Sequence, residues 1–399
     1  MEGELVGMTA EKKSRLELRL EQELEEGRMK NNGNLDDDDL LVKAFDLVEV
    51  YFRLYRLNKL NALLAEIKPF CFQRGDDEDW IPKWLQAQAT NLCKQNRYAE
   101  SLPLFTEMAE RLAPTSALMS NVGNVYLALG DLEKAHDHYE KAYQMLFTEP
   151  HGPDKEAGAL AEIAFVKLKI AEIEPLEGDS GRKTMYLDDA KRHIVQSVEK
   201  YRDIGYVTHS MLGKALGSLA KICYARGEYE EADRAWIEAM NIYNIRMGNH
   251  SLYVAGALKE RVKVIIKLDL QRAKQEAPRM LLLALDKYVL RQDVLDLKEI
   301  NEILSLLLHD DLPFTSKDSA PIALKDFMPI IVHCHKVLNN EIPSQTSEHP
   351  RIDVRFLAEF YQHSGHLMWL SGQDKVTAKD WVQRSIKLWG GPPVGTQEF

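Results

Sequence analysis

The sequence predicts an all-α protein, an α-solenoid in which tandem antiparallel helix pairs twist into a right-handed superhelix. Three observations predict this class. From residue 40 to about residue 389 the pattern is helical, and no alternating run bounded by hairpin turns suggests a strand pair. Polar or proline- and glycine-rich breaks separate segments of roughly helix length, about 12 to 20 residues. Small residues seven positions apart recur along the chain, which indicates a repeated unit.

The first forty residues differ in composition from the rest of the chain. Residues 10–30 are almost all Glu, Lys, Arg and Leu, which predicts a single charged helix or a short coiled coil. Residues 31–39 are polar and end in four consecutive aspartates, so we expect an acidic flexible linker within residues 1–40. At the other end, residues 391–399 are predicted to form a flexible tail.

A spacing of 34 residues relates two neighbouring segments, because residues 96–105 align without gaps on residues 130–139. Gly123 lies inside the preceding helix, where glycine costs about 1 kcal/mol relative to alanine. Gly130 follows seven residues later. We predict that two helices come closest at the first glycine and that the chain reverses at the second. The equivalent residues elsewhere are Ala89 with Asn96, and Ala220 with Gly227.

These positions resemble the tetratricopeptide repeat, a 34-residue pair of antiparallel helices. In that family a small residue allows close helix packing, a turn residue follows, and two small residues then flank an aromatic one. Gly123, Gly130, Ala135, Tyr139 and Ala142 match this pattern. We assign clear repeats to residues 82–115, 116–149 and 213–246, and a repeat with an inserted loop to residues 154–205. Residues 41–79 and 251–290 are assigned to degenerate repeats. Residues 291–390 are assigned to a helical C-terminal extension, which contains a drifted repeat at 356–389. The repeat array itself is predicted to span residues 41–290.

One junction is similar to the longer repeats of kinesin light chains. In residues 239–258 the second helix runs on through a Gly-x-His junction, and Ala190 and Ala232 are 42 residues apart. This resemblance implies one particular function, that of an adaptor in a motor or cytoskeletal complex.

Composition sets expectations about environment and partners. The net charge of −11 argues against non-specific nucleic-acid binding, which requires a clustered positive surface. Four cysteines show no ligand spacing, so we expect reduced thiols in a cytoplasmic protein, with cytoskeletal association as a sub-case. No apolar run reaches the roughly 18 residues of a membrane span, and the N-terminus lacks a secretory signal. The cysteines are Cys71, Cys93, Cys223 and Cys334.

The sequence offers no catalytic grouping. No phosphate loop, GxGxxG, GxSxG or HExxH motif occurs, so we expect no enzyme activity, no cofactor and no metal. The aspartates at 36–39 are more typical of an unstructured linker than of a cation site. The aromatic residues follow the repeat period and are assigned to the core. Three histidine pairs lack a third ligand: His136 and His138, His333 and His335, and His363 and His366.

The resemblance implies a concave groove, lined by the first helix of each repeat, that binds an extended peptide or a partner helix. Asparagine in such a groove can hydrogen-bond a peptide backbone through both donor and acceptor. Repeats that capture the carboxylate terminus of heat-shock chaperones carry Lys and Asn where this chain has Gln86 and Thr90, which disfavours a co-chaperone. The candidate contacts are Gln86, Thr90, Ser120, Asn121, Asn124, Leu127, Lys214, Ser218, Lys221 and Tyr224.

We therefore predict a non-enzymatic protein–protein interaction scaffold or adaptor. One alternative is a structural subunit of a large multiprotein, cytoskeletal or motor assembly. Such a subunit would dock through its convex face and through loops, including 175–184 and the irregular region 291–350. A third class, an enzyme built on a helical toroid or solenoid, has no catalytic residues in its favour.

Overall fold

Seventeen α-helices and no β-strand occur in the residues that the computed structural model describes, which confirms the all-α prediction. The Gly-x-His junction at 248–250, residues 32–34 and 36 of the predicted linker and the tail at 391–399 lie outside the described residues. Asp38 and Asp39, at the end of that predicted linker, form the first turn of the helix Asp38–Leu54. The described ranges are 10–31, 35, 37–54, 56–73, 80–174, 180–247, 251–289, 296–309, 326–341, 354–372 and 374–389.

The chain divides into two compact units, and the first is Met1–His151. In this unit each helix packs against the next one in sequence, as expected for consecutive helical hairpins. Its core runs from Leu20 to Ala142. The helices are α1 (Ala10–Lys30), α2 (Asp38–Leu54), α3 (Leu57–Gln73), α4 (Trp80–Lys94), α5 (Tyr98–Arg111), α6 (Ser116–Leu129) and α7 (Leu132–Met145).

The second unit is Gly152–Phe399, and its first six helices, which have 16 to 24 residues, continue the hairpin arrangement. The later helices pair differently, since Leu297–Leu307 packs against Val354–Ser371. Contacts between the first helices of successive hairpins add to those within hairpins, as between α8 and α10. The helices are α8 (Pro153–Ile173), α9 (Ser180–Asp203), α10 (Ser210–Ala225), α11 (Tyr229–Met247), α12 (Leu252–Leu268), α13 (Leu270–Val289), α14 (Leu297–Leu307), α15 (Met328–Glu341), α16 (Val354–Ser371) and α17 (Lys375–Trp389).

The hairpin of α6 and α7 shows how sequence specifies the repeat. Thr115 caps α6, its side chain accepting a hydrogen bond from the amide of Leu118. Asp131 caps α7 in the same way, through the amide of Lys134. A Cβ atom at Gly123 would lie 2.7 Å from Cε1 of Tyr139, closer than real Cβ atoms approach a carbon. Gly123 is therefore the position of close helix approach, as the sequence predicts.

The chain reverses at residues with left-handed backbone conformation. At Gly130, with φ of 82°, the amide of Asp131 donates to the carbonyl of Tyr126 at 3.0 Å, which satisfies a carbonyl left free at the helix end. Asn96 takes the equivalent place after α4 with φ of 60°. Asparagine is the residue that tolerates this region best after glycine. The other positive-φ turn residues in the described ranges are Gly205, Gly227 and Gly372.

Glycine on the first helix and tyrosine near the end of the second helix form a recurring pair in the second unit. A Cβ at Gly213 would lie 2.7 Å from Cε1 of Tyr243, and one at Gly256 would lie 3.5 Å from the hydroxyl of Tyr288. The first pair leaves no room for a side chain, whereas the second leaves ordinary van der Waals space. A related contact joins Gly158 to Tyr201.

The charged N-terminal segment forms α1 and packs against α2. Leu20 and Leu24 are buried in the core of the first unit. The polar side of α1 is held by ion pairs, since Lys59 lies 2.9 Å from Glu17 and 2.8 Å from Glu21. No helix in the described part of the chain is both long enough and apolar enough to cross a bilayer.

Candidate binding groove

The second unit contains a groove of about 470 Å3 between α10 and α12. Its floor is aromatic, because Gly217 on α10 allows Trp236 of α11 to approach the helix backbone, with Cζ3 3.1 Å from the place of a Cβ. Tyr243 reaches the same surface beside Gly213. The lining residues are Lys214, Gly217, Ser218, Lys221, Trp236, Tyr243, Leu252, Tyr253, Gly256, Ala257, Lys259, Glu260, Tyr288 and Glu299.

One edge of the groove is basic and is formed by α10. Lys214, Ser218 and Lys221 are spaced four and three residues apart, so they share one helix face. Both lysines are exposed. Nζ of Lys214 lies 5.5 Å from the ring centroid of Tyr253, and Nζ of Lys221 lies 6.0 Å from that of Phe165 on α8. These cation–π contacts keep both ammonium groups beside the groove.

The opposite wall carries a buried ion-pair network. Lys259, with a side chain only 4% exposed, lies 2.7 Å from Glu299 and 2.6 Å from Glu302. Burial opposes its charged form, but the hydrogen bonds that Lys259 donates to both glutamates hold its pKa above the usual value. The hydroxyl of Tyr288 donates to Glu299 at 3.0 Å. Burial, together with this carboxylate, raises the pKa of Tyr288. Lys259 and Lys263 therefore balance two of the three negative charges of Glu260, Glu299 and Glu302 on this wall.

The structure places the ten predicted contacts in two groups. Lys214, Ser218 and Lys221 come together in the groove of the second unit. Tyr224 lies further along α10, half-buried, with its ring 5.6 Å from that of Tyr229. The other six belong to the first unit, on α4 and α6: Gln86, Thr90, Ser120, Asn121, Asn124 and Leu127.

Asn124 has a structural partner that sequence reasoning did not foresee. Its side-chain oxygen accepts a hydrogen bond of 2.9 Å from the hydroxyl of Tyr139. Tyr139 is 1% exposed, so its hydroxyl needs such an acceptor to avoid being buried unsatisfied. Asn124 therefore stabilises its own hairpin although its side chain is exposed. Of the other candidates, Asn121 is half-buried and Gln86 is exposed.

Sequence reasoning missed the α12 side of the groove, because residues 251–290 were assigned to a degenerate repeat. Leu252, Tyr253, Gly256, Lys259 and Glu260 all lie there. A signal was available in the sequence. Gly256 follows Gly213 by 43 residues and Tyr288 follows Tyr243 by 45, which repeats the glycine–tyrosine pair at the longer spacing.

One cluster in the described residues has the composition of a metal site, Cys223 with Glu228 and Glu231. The ammonium of Lys191 lies 2.6 Å from Glu228 and 2.8 Å from Glu231, and Nε of Arg226 lies 2.8 Å from Glu228, so two cations already face the two carboxylates. Burial raises the pKa of Cys223 to about 12, which disfavours the thiolate that metals bind. The cluster is thus an ion pair beside a buried thiol.

Three histidines of the pairs named in the sequence have other contacts within the fold. The ring of His138 stacks on Tyr126 at 5.3 Å, and His136 lies 3.5 Å from Glu140. His335 stacks on Trp381 at 3.5 Å and shares a hydrogen bond of 2.9 Å with Ser364. These histidines pack within the fold.

The fold is an array of helical hairpins, and one of these hairpins matches a known repeat family. Residues 115–146 match the family model described as "Tetratricopeptide repeat". This range contains α6 and α7, the hairpin that carries Gly123 and Gly130. The prediction of a tetratricopeptide-repeat protein is confirmed. No curated protein sequence matches the chain significantly.

Solved structures are similar to this chain at low sequence identity. The apo form of the quorum sensor NprR from B. thuringiensis is 14% identical, covers 95% of this chain and 97% of its own, and has a TM-score of 0.53. A Rap protein complexed with competence and sporulation factor is 14% identical, with coverages of 94% and 98% and a TM-score of 0.49. A putative kinesin light chain from Podosopora anserina, with nearly identical TPR-like repeats, is 11% identical, with coverages of 70% and 98% and a TM-score of 0.35.

Proposed function

We propose that this chain is a non-enzymatic interaction scaffold or adaptor that holds a peptide or helix of a partner protein in the groove between α10 and α12. The observation that carries the proposal is the groove itself. It is open, it has an aromatic floor, and Lys214, Ser218 and Lys221 present polar groups along one edge. Leu252 and Tyr253 add exposed apolar surface beside these polar groups, and this combination is typical of peptide-binding sites. A cytoplasmic location and a link to a motor or cytoskeletal complex stay predictions.

A steric block tests the site. Ser218→Trp places an indole in the groove without changing charge, and we expect it to remove a set of partners captured from native cells with the full-length protein. Gln275→Trp, at an exposed position of α13 that does not line the groove, is the matched control and should capture the wild-type set. Mass spectrometry with quantitative labelling compares the three.

An unchanged partner set with Ser218→Trp would contradict groove binding. That outcome would favour the alternative of a structural subunit in a large multiprotein, cytoskeletal or motor assembly, docking through convex surfaces and loops.

A further inference from the structure

Three lysines line the groove, and two of them, Lys214 and Lys221, have no carboxylate partner in the described residues. Five cations of the second unit each form a salt bridge of 2.6 to 2.9 Å: Lys191, Arg226, Lys259, Lys263 and Arg272. Lys214 and Lys221 form none with any residue in the described ranges, and their recorded contacts are with aromatic rings. Their charges are therefore available to a ligand.

The two lysines are arranged to act together. They are seven residues apart on α10, which is two helical turns or about 10.5 Å along the axis. Ser218 lies between them on the same face and adds a hydroxyl donor. Flexible lysine side chains reach several ångströms from this face, so two carboxylates of one short segment fit the pair.

The opposite wall does not cancel this positive edge. Glu299 is bound by Lys259 and Tyr288, and Glu260 lies 2.9 Å from Lys263 and 3.6 Å from Lys259. Lys259 and Lys263 balance two of the three carboxylates Glu260, Glu299 and Glu302, so this wall keeps one negative charge against the two positive charges of Lys214 and Lys221.

Apolar surface lies next to the lysines. Leu252 and Tyr253, at the start of α12, are 37% and 46% exposed. Tyr253 also contacts Lys214, so a ligand side chain packed on its ring lies close to that ammonium. When an apolar side chain of the ligand packs beside a charged one, the pair increases affinity and fixes the position of the ligand along the groove.

We propose that the groove selects an acidic segment of a partner protein, with carboxylate side chains against Lys214 and Lys221 and an adjacent apolar side chain packed on Leu252 and Tyr253. This inference rests on the proposed function, because it names the chemistry of the ligand that the same groove holds.

Selection from a random peptide library tests the chemistry without a known partner. The full-length protein is used to select twelve-residue peptides displayed on phage. We expect the bound pool to be enriched in Asp and Glu together with Leu or an aromatic residue. The charge-reversed variant Lys214→Glu/Lys221→Glu should instead select Lys and Arg. Lys267→Glu/Lys387→Glu makes the same charge change at exposed positions that do not line the groove and should select as wild type does.

Fluorescence polarisation then measures one selected acidic peptide. We expect Lys214→Ala/Lys221→Ala to weaken its binding roughly tenfold, as the loss of two partly exposed ion pairs implies. Replacing the Asp and Glu of the peptide by Asn and Gln should weaken wild-type binding similarly and should abolish the difference between the proteins. Circular dichroism melts confirm that the variants are folded.

A wild-type pool without acidic enrichment overturns the proposal, and so does a charge-reversed variant that still selects acidic peptides. If Ser218→Trp removes cellular partners while the lysine variants bind as wild type, the groove function stands and the acidic specificity falls. If neither Ser218→Trp nor the lysine variants change any binding, the proposed function itself is wrong.

Discussion

Gly123 fixes the packing of its hairpin more tightly than a merely small residue would. A Cβ atom at Gly123 would lie 2.7 Å from the ring of Tyr139, and the hydroxyl of this tyrosine donates the hydrogen bond to Asn124. Alanine occupies the equivalent positions 89 and 220. The space at this site therefore depends on the aromatic residue opposite it.

Gly123→Ala should lower the free energy of unfolding by about 1 to 3 kcal/mol, although alanine favours helix by about 1 kcal/mol. The reason is that Tyr139 must move and strain its hydrogen bond. Gly256→Ala is the control, since its Cβ would have 3.5 Å of space, and it should be neutral or stabilising. Thermal and urea melts measure both, and equal effects would contradict the steric explanation.

Two histidines, the buried His335 on α15 and the half-buried His363 on α16, make the packing of the C-terminal hairpin sensitive to acid. Burial lowers the pKa of His335 to about 3, with Arg384 adding a smaller positive field. Burial lowers the pKa of His363 to about 4, assisted by His366. Both bind protons less readily in the folded state than in the unfolded state, where the value is near 6.5.

The stability from these histidines is complete above about pH 6.5 and is lost as the pH falls toward 4. We expect a loss of roughly 1.4 kcal/mol per pH unit for each histidine in that range. Amide hydrogen exchange of α16 and α17, corrected for intrinsic rates, measures the opening free energy. His335→Gln should reduce the slope, while His151→Gln, at an exposed position, should not. A slope unaffected by His335→Gln would exclude this histidine as the cause.

At the scale of helices and turns, the hairpin reversals are the features most strongly specified by local sequence. Gly130→Ala should cost about 1 to 2 kcal/mol, because alanine is strained at φ of 82°. Gly130→Asn should cost less, since Asn96 occupies the same place with φ of 60°. Urea unfolding compares the two, and an asparagine variant as unstable as the alanine variant would refute the turn assignment.

The ion-pair network on α12 and α14 is predicted to hold the acidic wall of the groove. Lys259→Ala should destabilise the protein by about 3 to 5 kcal/mol, because it leaves Glu299 and Glu302 near each other without their buried cation. Lys263→Ala is the matched control, since Lys263 shares Glu302 at 3.3 Å but is 30% exposed, and it should cost under about 1 kcal/mol. Similar losses in urea melts would show that the network is not held by the buried lysine.

The elements that sequence predicted well are those governed by local rules. Gly123, Gly130 and Gly227 have their structural roles because close approach and left-handed turns restrict residue type. Lys214, Ser218 and Lys221 were found because they lie on a clear repeat. The hydrogen bond between Asn124 and Tyr139 depends on packing between helices, and so do the ion pairs of Lys259, which join residues 40 positions apart. The spacing of the repeat does not specify such contacts.

At the scale of the molecule, the chain has two units with separate cores. The first extends from Leu20 to Ala142, and the second from Ala157 to Trp381. The proposed groove belongs to the second. The whole chain carries a net charge of −11, whereas the groove edge is positive. An acidic ligand is therefore attracted only within roughly one Debye length of the lysines, about 8 Å at physiological salt.

This contrast predicts an unusual salt dependence for an acidic peptide. We expect the association rate to rise between about 20 and 150 mM salt, because screening weakens long-range repulsion, and the dissociation rate to rise as well, because local ion pairs weaken. Stopped-flow fluorescence separates the two rates. For Lys214→Ala/Lys221→Ala, the association rate should still rise with salt, but the dissociation rate should no longer rise. An association rate that falls with salt would show that the lysine edge dominates the approach.

The free ammonium groups of Lys214 and Lys221 have a consequence for how this surface changes over evolutionary time. Neither lysine is tied to a carboxylate of the described chain, so substitution there carries little folding penalty. Asn124 is different, because replacing it strands the hydroxyl of Tyr139. We expect related copies of this gene to diverge in ligand preference first at positions 214 and 221, while position 124 keeps a hydrogen-bond acceptor.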